Sequence, residues 1–291
     1  MPRQLLEICG DVTLSPADQW RYVFYGLRQI VGSIGQRCSL EAARTDFGND
    51  DVQSRIDEGA SPLRVYTSSL AAQVIQEHLS ESGPICDIGC GSGRHSRLFE
   101  EQKGSHLYVG IDMAFHPSWV SAATRTSLLP RCFIQTTAED IGLATGSVAF
   151  TFSSSSLEHI PDVQRAVGEL ARVMRQGAYG LHIVPGVWAL FLYLFHGYRR
   201  FSPQNLADLF QQAGLKVEQL WSLGGLPSFL LHAVWITVLE TLMVRRILRL
   251  NPSFRTGRAL RVYAKLLRVA LRLDPFIPFA SAGYAVLVRK S

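Results

Sequence analysis

Cysteine is scarce in this chain of 291 residues, and the few cysteines present do not form a recognisable framework. The five are Cys9, Cys38, Cys86, Cys90 and Cys132. Their odd number and their spacing match neither a disulfide scaffold nor a set of metal ligands, so we predict free thiols and no metal site. The N-terminus also lacks the basic, apolar and small-residue regions of a signal peptide. Both absences predict a reducing compartment, the cytoplasm.

Acidic residues are nearly absent from the last third of the chain. From residue 185 onward there are 14 lysines and arginines against four acids, and no acid lies between Glu240 and Asp274. The remainder holds 15 basic and 20 acidic residues, so the net charge of +5 conceals a strongly basic C-terminal part. Such an asymmetry predicts an acidic or membrane-surface partner for that part.

An uninterrupted hydrophobic run that would cross a membrane is also missing. The longest apolar stretch, residues 226–250, is interrupted by Glu240 and turns basic after Val244. A crossing needs about 20 predominantly apolar residues. We therefore predict that this segment does not span a membrane.

The helix predicted over residues 258–273 carries its cations at steps of three and four residues. This periodicity places on one face Arg258, Arg261, Lys265, Arg268 and Arg272. The pattern is typical of a helix that lies in a membrane interface, and it predicts peripheral binding of residues 226–273 to an anionic membrane surface. One alternative is that these helices pack on the core or form a homodimer interface. Nucleic acid is a weaker alternative, because no RNA-binding motif accompanies the cations.

One short segment carries the strongest functional signal. Residues 84–93 read Pro-Ile-Cys-Asp-Ile-Gly-Cys-Gly-Ser-Gly, a strand pattern that ends at Asp87 and leads to Gly89, Gly91 and Gly93. Glycine permits a tight turn and lets a ligand approach the backbone. The spacing differs from the G-x-G-x-x-G of dinucleotide sites, and no Gly-Lys-Ser/Thr follows as in phosphate loops. These differences argue against a nicotinamide dehydrogenase.

Further acids follow the glycine segment in a regular order. Asp112 ends the next strand-like run, 19 residues after Gly93, where a carboxylate can bind a ribose diol. A third apolar run precedes Ala138-Glu139-Asp140-Ile141. A fourth, over residues 148–152, leads into four serines that begin at Ser153.

In this order the segments resemble the class I S-adenosyl-L-methionine (SAM)-dependent methyltransferases, in particular a small-molecule, glycan and lipid branch similar to methyltransferase domain 11. The Asp-x-Gly-x-Gly-x-Gly run resembles motif I, and Leu157-Glu158-His159-Ile160-Pro161-Asp162 resembles the signature after the fourth strand. The resemblance implies SAM as the cofactor. It assigns cofactor contacts to Asp87, Gly89, Cys90, Gly91, Gly93, Asp112, Met113, Glu139, Asp140, Ile141 and Ser153.

The resemblance also implies the fold class, an α/β protein with a Rossmann-like, seven-stranded, mostly parallel sheet and helices on both faces. The last strand is expected antiparallel beside the fifth. Strand and helix patterns that alternate along the chain support this class independently. We predict an N-terminal helical cap over residues 1–64, a SAM-binding core over 65–222, an apolar and basic helical insertion over 223–282, and the final strand over 283–291.

A hydroxyl acceptor must lose its proton when it is methylated, and a histidine suits that task. His159 follows the fourth strand, where the acceptor should enter, and Glu158 beside it is expected to orient it or share the work. The alternative is that His159 only caps a helix or packs on the ribose. Arg199 and Arg200 are expected to meet an anionic group of the acceptor.

The predicted function is transfer of a methyl group to a small-molecule, lipid-linked or glycan acceptor, through a hydroxyl, at or near a membrane surface. A quinone-precursor or phospholipid methyltransferase is one alternative. An inactive SAM-fold subunit that docks a partner is the alternative from another class. The acids at the strand ends, Asp87, Asp112 and Asp140, argue against inactivity.

Overall fold

The computed structural model describes most of the chain. The structure describes residues 14–33, 39–79, 82–100, 102, 104, 106–124, 129–193, 196–247 and 256–291. For residues 241–247 it describes the backbone only. Cys9, Cys38 and residues 248–255 of the predicted membrane-binding segment lie outside the described residues.

One eight-stranded sheet organises the described residues. Its strands, numbered along the chain, are β1 (Glu41–Ala42), β2 (Gly83–Ile88), β3 (His106–Asp112), β4 (Arg131–Gln135), β5 (Val148–Ser154), β6 (Met174–Pro185), β7 (Leu215–Leu223) and β8 (Gly283–Lys290). They lie in the order β1-β7-β8-β6-β5-β2-β3-β4, and only β8 runs antiparallel to its neighbours. The predicted α/β class and the antiparallel last strand beside the fifth predicted strand, β6, are confirmed.

The sheet has one strand more than the seven predicted. Strand β1 pairs in parallel with the end of β7, with Glu41 opposite Trp221 and Ala42 opposite Ser222. Two residues are too few to show the alternation by which a strand is recognised in a sequence. The extra strand attaches the N-terminal segment to one edge of the sheet.

Helices cover both faces of the sheet. The α-helices are α1 (Pro16–Ser33), α2 (Asp50–Asp57), α3 (Pro62–His78), α4 (Ser118–Thr124), α5 (Val163–Val173), α6 (Pro203–Gln212), α7 (Leu226–Leu231) and α8 (Gly257–Leu273). A π-helix, His232–Ile247, continues α7. One apolar cluster packs α3 and α8 on the sheet, and a second packs α5 and α6 on it, so the predicted coverage of both faces is confirmed.

The order of the strands defines where a ligand can enter. From β2 the chain continues to β3 and β4 on one side, whereas β5 and β6 lie on the other side of β2. Parallel sheets bind ligands beyond the carboxyl ends of the strands at such a reversal. The glycine segment follows β2 and the four serines lie across the end of β5, so both predicted motifs lie at this reversal.

The insertion packs one face of α8 against the core. Tyr263, Leu267 and Leu271 are buried in the same apolar cluster as α3. The Tyr263 hydroxyl donates a hydrogen bond to the Ala60 carbonyl at 2.9 Å. The inner face of α8 therefore belongs to the core, while the division of the chain at residues 64, 222 and 282 stays a prediction. In the described part of the chain, no helix has the length and hydropathy needed to cross a membrane.

Candidate active site

The three glycines after β2 adopt left-handed backbone conformations for different local reasons. Gly89 has φ +69°, and a Cβ there would lie 2.2 Å from the Cβ of Ser156. Gly93 has φ +75°, and its Cβ would lie 2.5 Å from the ring of Phe133. Gly91 has φ +53°, and a Cβ there would meet nothing within 4 Å. Gly89 and Gly93 therefore permit close packing, and the backbone of Gly91 faces open space that a ligand can occupy.

Asp112 fixes the glycine turn from the neighbouring strand. Its Oδ2 accepts a hydrogen bond from the Gly91 amide at 2.9 Å, and its Oδ1 accepts one from the Ala114 amide at 3.0 Å. The indole of Trp119 donates to the Gly91 carbonyl at 2.7 Å. Each carboxylate oxygen keeps a further lone pair, so Asp112 can still accept hydrogen bonds from a ribose. Met113, the next residue, is largely exposed.

Asp87 lies completely buried at the foot of the glycine turn. Its Oδ2 accepts a hydrogen bond from the Tyr108 hydroxyl at 2.5 Å and lies 3.5 Å from Nδ1 of His95. Burial, and then the charge of Asp87, raises the pKa of Tyr108, so this hydroxyl stays a donor. Oδ1 of Asp87 accepts no hydrogen bond from the described residues. A buried carboxylate oxygen of this kind fits an ammonium group, such as that of an amino acid moiety.

The predicted adenine segment divides into accessible and inaccessible residues. Glu139 is half-buried and Asp140 is exposed, so both side chains can reach a ligand. Ile141 is completely buried in the second apolar cluster, and its amide donates to Glu169 at 3.2 Å. Ile141 therefore presents no side-chain surface to a ligand in this structure.

Cys90 and Ser153 also point into the protein. Burial, and then the charges of Asp87 and Asp112, raises the pKa of Cys90, so its thiol stays neutral. The Ser153 hydroxyl is buried 2.9 Å from Nδ1 of His182. Both residues stay predictions as cofactor contacts, and the contacts they make here support the sheet.

A cavity of about 190 Å³ opens beyond the carboxyl ends of β2 and β5. Residues that directly follow the glycine turn and β5 line it, together with residues of α2, α3 and the segment before α6. Its lining includes Arg64, Arg94, His95, Glu158, Tyr193 and His196. Because His95 lines the cavity and also approaches Asp87, the cavity adjoins the glycine turn.

The predicted catalytic pair is brought together at this cavity, but its two members differ in access. Glu158 lines the cavity, and its Oε1 lies 3.7 Å from Nε2 of His159, beyond hydrogen-bond distance. His159 is not among the lining residues, and its ring meets that of His196 edge to face at 4.6 Å. His196 does line the cavity. The structure therefore adds His196 to Glu158 and His159 as a group that can handle a proton.

Arg199 and Arg200 both donate hydrogen bonds to loop carbonyls, and Arg200 also lines the cavity, so the expectation that they meet an anionic group stays a prediction. Arg199 is buried and donates to the carbonyls of Leu157, Ile160 and Pro161, so it holds the turn that carries Glu158. Arg200 is buried and donates to the Tyr193 carbonyl at 2.7 Å. An arginine has five N–H donors, and in a buried loop carbonyls can engage most of them.

Sequence reasoning named Arg200 but did not single out the other cavity residues His95, His196, Arg55, Arg64 and Arg94. His95 lies two residues after Gly93, so its position next to the motif was a usable signal. His196 follows an apolar stretch without any pattern, and Arg64 belongs to helix α3. Only the fold brings these residues to the cavity.

Comparisons with known proteins identify the kind of domain that carries this site. Residues 86–181 match the methyltransferase domain family described as Methyltransf_11. Residues 86–181 therefore carry a methyltransferase domain, and the cofactor of this domain is SAM. No curated protein matches the chain significantly.

Solved structures show the same fold at low sequence identity. The [4+2]-cyclase SpnF is 16% identical with a TM-score of 0.54, covering 96% of this chain and 98% of that chain. A putative sarcosine dimethylglycine methyltransferase from Galdieria sulphuraria is 16% identical with a TM-score of 0.53, covering 94% and 98%. A geranyl diphosphate methyltransferase in complex with SAM is 13% identical with a TM-score of 0.51, covering 87% and 97%. These likenesses concern the fold.

Proposed function

We propose that the protein transfers the methyl group of SAM to a hydroxyl of a small-molecule, lipid-linked or glycan acceptor, at or near a membrane surface. One observation carries this proposal: the carboxylate of Glu158 and the ring of His196 line a cavity that adjoins the glycine turn. Bound SAM supplies a methyl group that is already activated by a sulfonium. The protein's own task is to align the acceptor and to remove a proton.

In this proposal the residues around the glycine turn hold the cofactor. The backbone of Gly91 and the carboxylate of Asp112 receive the nucleoside, and Oδ1 of Asp87 receives the ammonium group. Glu139 and Asp140 bind the adenine. The open space at Gly91 and the unused oxygen of Asp87 support this assignment.

Cofactor binding is tested by calorimetry with SAM on three proteins. Gly91→Asp fills the open space beside Asp112, and we expect it to lower the affinity by about tenfold or more. Gly214→Asp is the matched control, because Gly214 has φ +78° and also has no atom within 4 Å of its Cβ position. It carries a similar backbone strain outside the site and should bind SAM normally. Equal SAM affinity in Gly91→Asp and the wild type would contradict the cofactor assignment.

In this proposal Glu158 accepts the proton of the acceptor's hydroxyl. His196 lines the same cavity, and His159 lies next to Glu158 outside the lining. Replacing a general base typically costs about 10²–10⁴ in rate. Glu158→Gln should therefore lower kcat by that factor and leave SAM affinity unchanged, whereas the surface variant Glu77→Gln should change neither.

Labelled SAM incubated with lipid extracts and, separately, with sugar-phosphate pools identifies the acceptor. Methylation of neither pool, together with normal SAM binding, would favour the inactive partner-docking subunit.

The outward half of α8 supports the membrane part of the proposal. Val262, Leu266, Val269 and Leu273 form an exposed apolar stripe at steps of three and four residues. The predicted basic face runs beside it, although two of its cations have partners: Arg268 binds Asp57, and Arg272 lies over the ring of Phe47. The remaining cations are Arg258, Arg261 and Lys265. An apolar stripe flanked by cations is typical of a helix in a membrane interface.

Vesicle sedimentation tests this surface with a charge-matched control. Arg261→Gln combined with Lys265→Gln should weaken binding to anionic vesicles by roughly tenfold or more, since each cation near such a surface contributes about 1 kcal/mol. Arg165→Gln combined with Lys216→Gln removes the same charge elsewhere and should have little effect. Binding that is equally strong to neutral vesicles, or insensitive to salt, would contradict the proposal.

A further inference from the structure

Guanidinium groups from three separate segments converge on the cavity. Arg55 belongs to α2, Arg64 to α3, and Arg94 follows the glycine turn, and all three line the cavity. Glu158 is the one carboxylate among the described residues that line it. The cavity is therefore far more positive than a site for a neutral acceptor requires.

The protein compensates these charges only in part. Nε of Arg55 pairs with Asp51 at 3.0 Å. Among the described residues no carboxylate pairs with Arg64 or Arg94, and the Arg94 side chain approaches only Nε2 of His95, at 3.4 Å. Burial, and then the charges of Arg64 and Arg55, lowers the pKa of Arg94, while the charge of Asp87 acts in the opposite direction. Like charges held this closely repel each other, and a bound anion would relieve the repulsion.

A buried donor inside the cavity points the same way. Arg200 lines the cavity and is only 2% exposed, and its Nε has no acceptor among the described residues. A buried N–H without a partner is costly, so native structures rarely leave one unused. The carbonyls of the loop engage the terminal nitrogens of Arg200, and Nε is left for a further acceptor.

The remaining residues that line the cavity include both hydroxyl and apolar side chains. Hydroxyl groups of Ser61, Thr67 and Ser68 contribute donors, and Leu63 and Leu98 contribute apolar surface. Ser61 is also the N-cap of α3, where its side chain makes no capping hydrogen bond. Guanidinium and hydroxyl donors together suit the oxygens of a phosphate.

We infer that this cavity recognises a phosphate or diphosphate group on the acceptor, with Arg64 and Arg94 as its principal ligands. The inference rests on the proposed function, because it names the chemical class of that acceptor. The other source of a negative charge is the carboxylate of SAM itself. One carboxylate would not balance the uncompensated guanidinium groups, because the sulfonium and ammonium groups of SAM add positive charge.

The test titrates inorganic pyrophosphate into the full chain saturated with S-adenosylhomocysteine. Wild-type protein should bind pyrophosphate in a salt-sensitive manner. Arg64→Gln combined with Arg94→Gln should weaken this binding by about tenfold or more, since each charge-assisted hydrogen bond contributes strongly. The affinity for S-adenosylhomocysteine should change little. Arg97→Gln is the control, because Arg97 is exposed, lies on the same turn as Arg94 and does not line the cavity. This variant should bind both ligands as the wild type does.

Two results would overturn the inference. The first is the absence of pyrophosphate binding by wild-type protein. The second is a double variant that loses affinity for S-adenosylhomocysteine but keeps it for pyrophosphate, which would assign the guanidinium groups to the cofactor's carboxylate. A chain that binds no S-adenosylhomocysteine at all would contradict the proposed function instead. Pyrophosphate titration of the cofactor-free wild type and double variant would then still decide whether the anion site exists.

Discussion

The cofactor end and the acceptor cavity are built in opposite ways. At the cofactor end, a run of seven residues forms the turn, and backbone amides and carbonyls are already paired with Asp112 and Trp119. At the cavity, side chains from α2, α3 and the segment before α6 meet, and Arg64 and Arg94 have no carboxylate partner among the described residues. One region is pre-organised and lined by carboxylates, whereas the other is lined mainly by guanidinium groups.

The difference teaches where binding specificity can vary. A cofactor that never changes is held by backbone geometry, which depends on glycines and tolerates few substitutions. An acceptor is recognised by side chains, which can change without disturbing the sheet. Each of the following predictions tests one part of this contrast, from the largest expected effect to the smallest.

The largest effect is expected within the glycine turn itself. Gly89→Ala places a Cβ 2.2 Å from Ser156 at a φ of +69°, so strain and overpacking together should cost about 2–5 kcal/mol of unfolding free energy. Gly91→Ala carries only the backbone strain and should cost about 1–2 kcal/mol. Urea unfolding of both variants measures the difference. Equal costs would show that the turn is not packed against the segment that follows β5.

The second prediction concerns Ser153, which sequence reasoning placed at the cofactor and the structure pairs with His182. Complete burial lowers the pKa of His182 to about 3, below its ordinary 6.5. The stability that His182 contributes is therefore fully present above pH 6.5 and is lost as the pH falls toward 3. The loss approaches about 1.4 kcal/mol per pH unit. Denaturant unfolding between pH 7 and pH 4.5 measures it.

His182→Gln should flatten this acid dependence, because glutamine cannot gain a proton in that range. His78→Gln is the control, since His78 is partly exposed on α3, and the acid dependence should remain in that variant. An unchanged pH profile in His182→Gln would mean that other groups control acid unfolding.

The same contrast explains how far the sequence could predict the molecule. Asp87, the three glycines and Asp112 lie within 26 residues, and their order alone indicated the fold and the cofactor. Strand β1, Arg55 and Arg64 depend on contacts between distant segments, so no local pattern marks them. The surroundings of Arg199 and Arg200 were not predictable for a related reason, since a sequence shows charges but not the loop carbonyls that engage them.

The third prediction tests how firmly the insertion is joined to α3. The Tyr66 hydroxyl donates to the buried carboxylate of Asp274 at 2.9 Å, and burial raises the pKa of Asp274. Tyr66→Phe should cost about 1–3 kcal/mol, because the carboxylate loses a buried donor. A raised pKa means that the stability contributed by Asp274 is present below its ordinary value of 3.8 and is lost as the pH rises through the folded value. Asp274 is more fully protonated at pH 4 than at pH 7, and an ionised carboxylate needs the Tyr66 donor more. The cost of Tyr66→Phe in unfolding free energy should therefore be larger at pH 7 than at pH 4. A cost that is the same at both values would contradict an ionised Asp274.

The smallest effect is expected where α8 meets α2. Arg268 binds Asp57 at 2.7 Å and Gln53 at 3.1 Å, on the helix that also carries Arg55. The pair is partly exposed, so Arg268→Gln should cost about 0.2–1 kcal/mol and less at high salt. A double-mutant cycle with Asp57→Asn isolates the pair, and a coupling well above this range would mean that the contact is shielded from water. This weak contact joins the proposed membrane helix to the helix that supplies a cavity arginine.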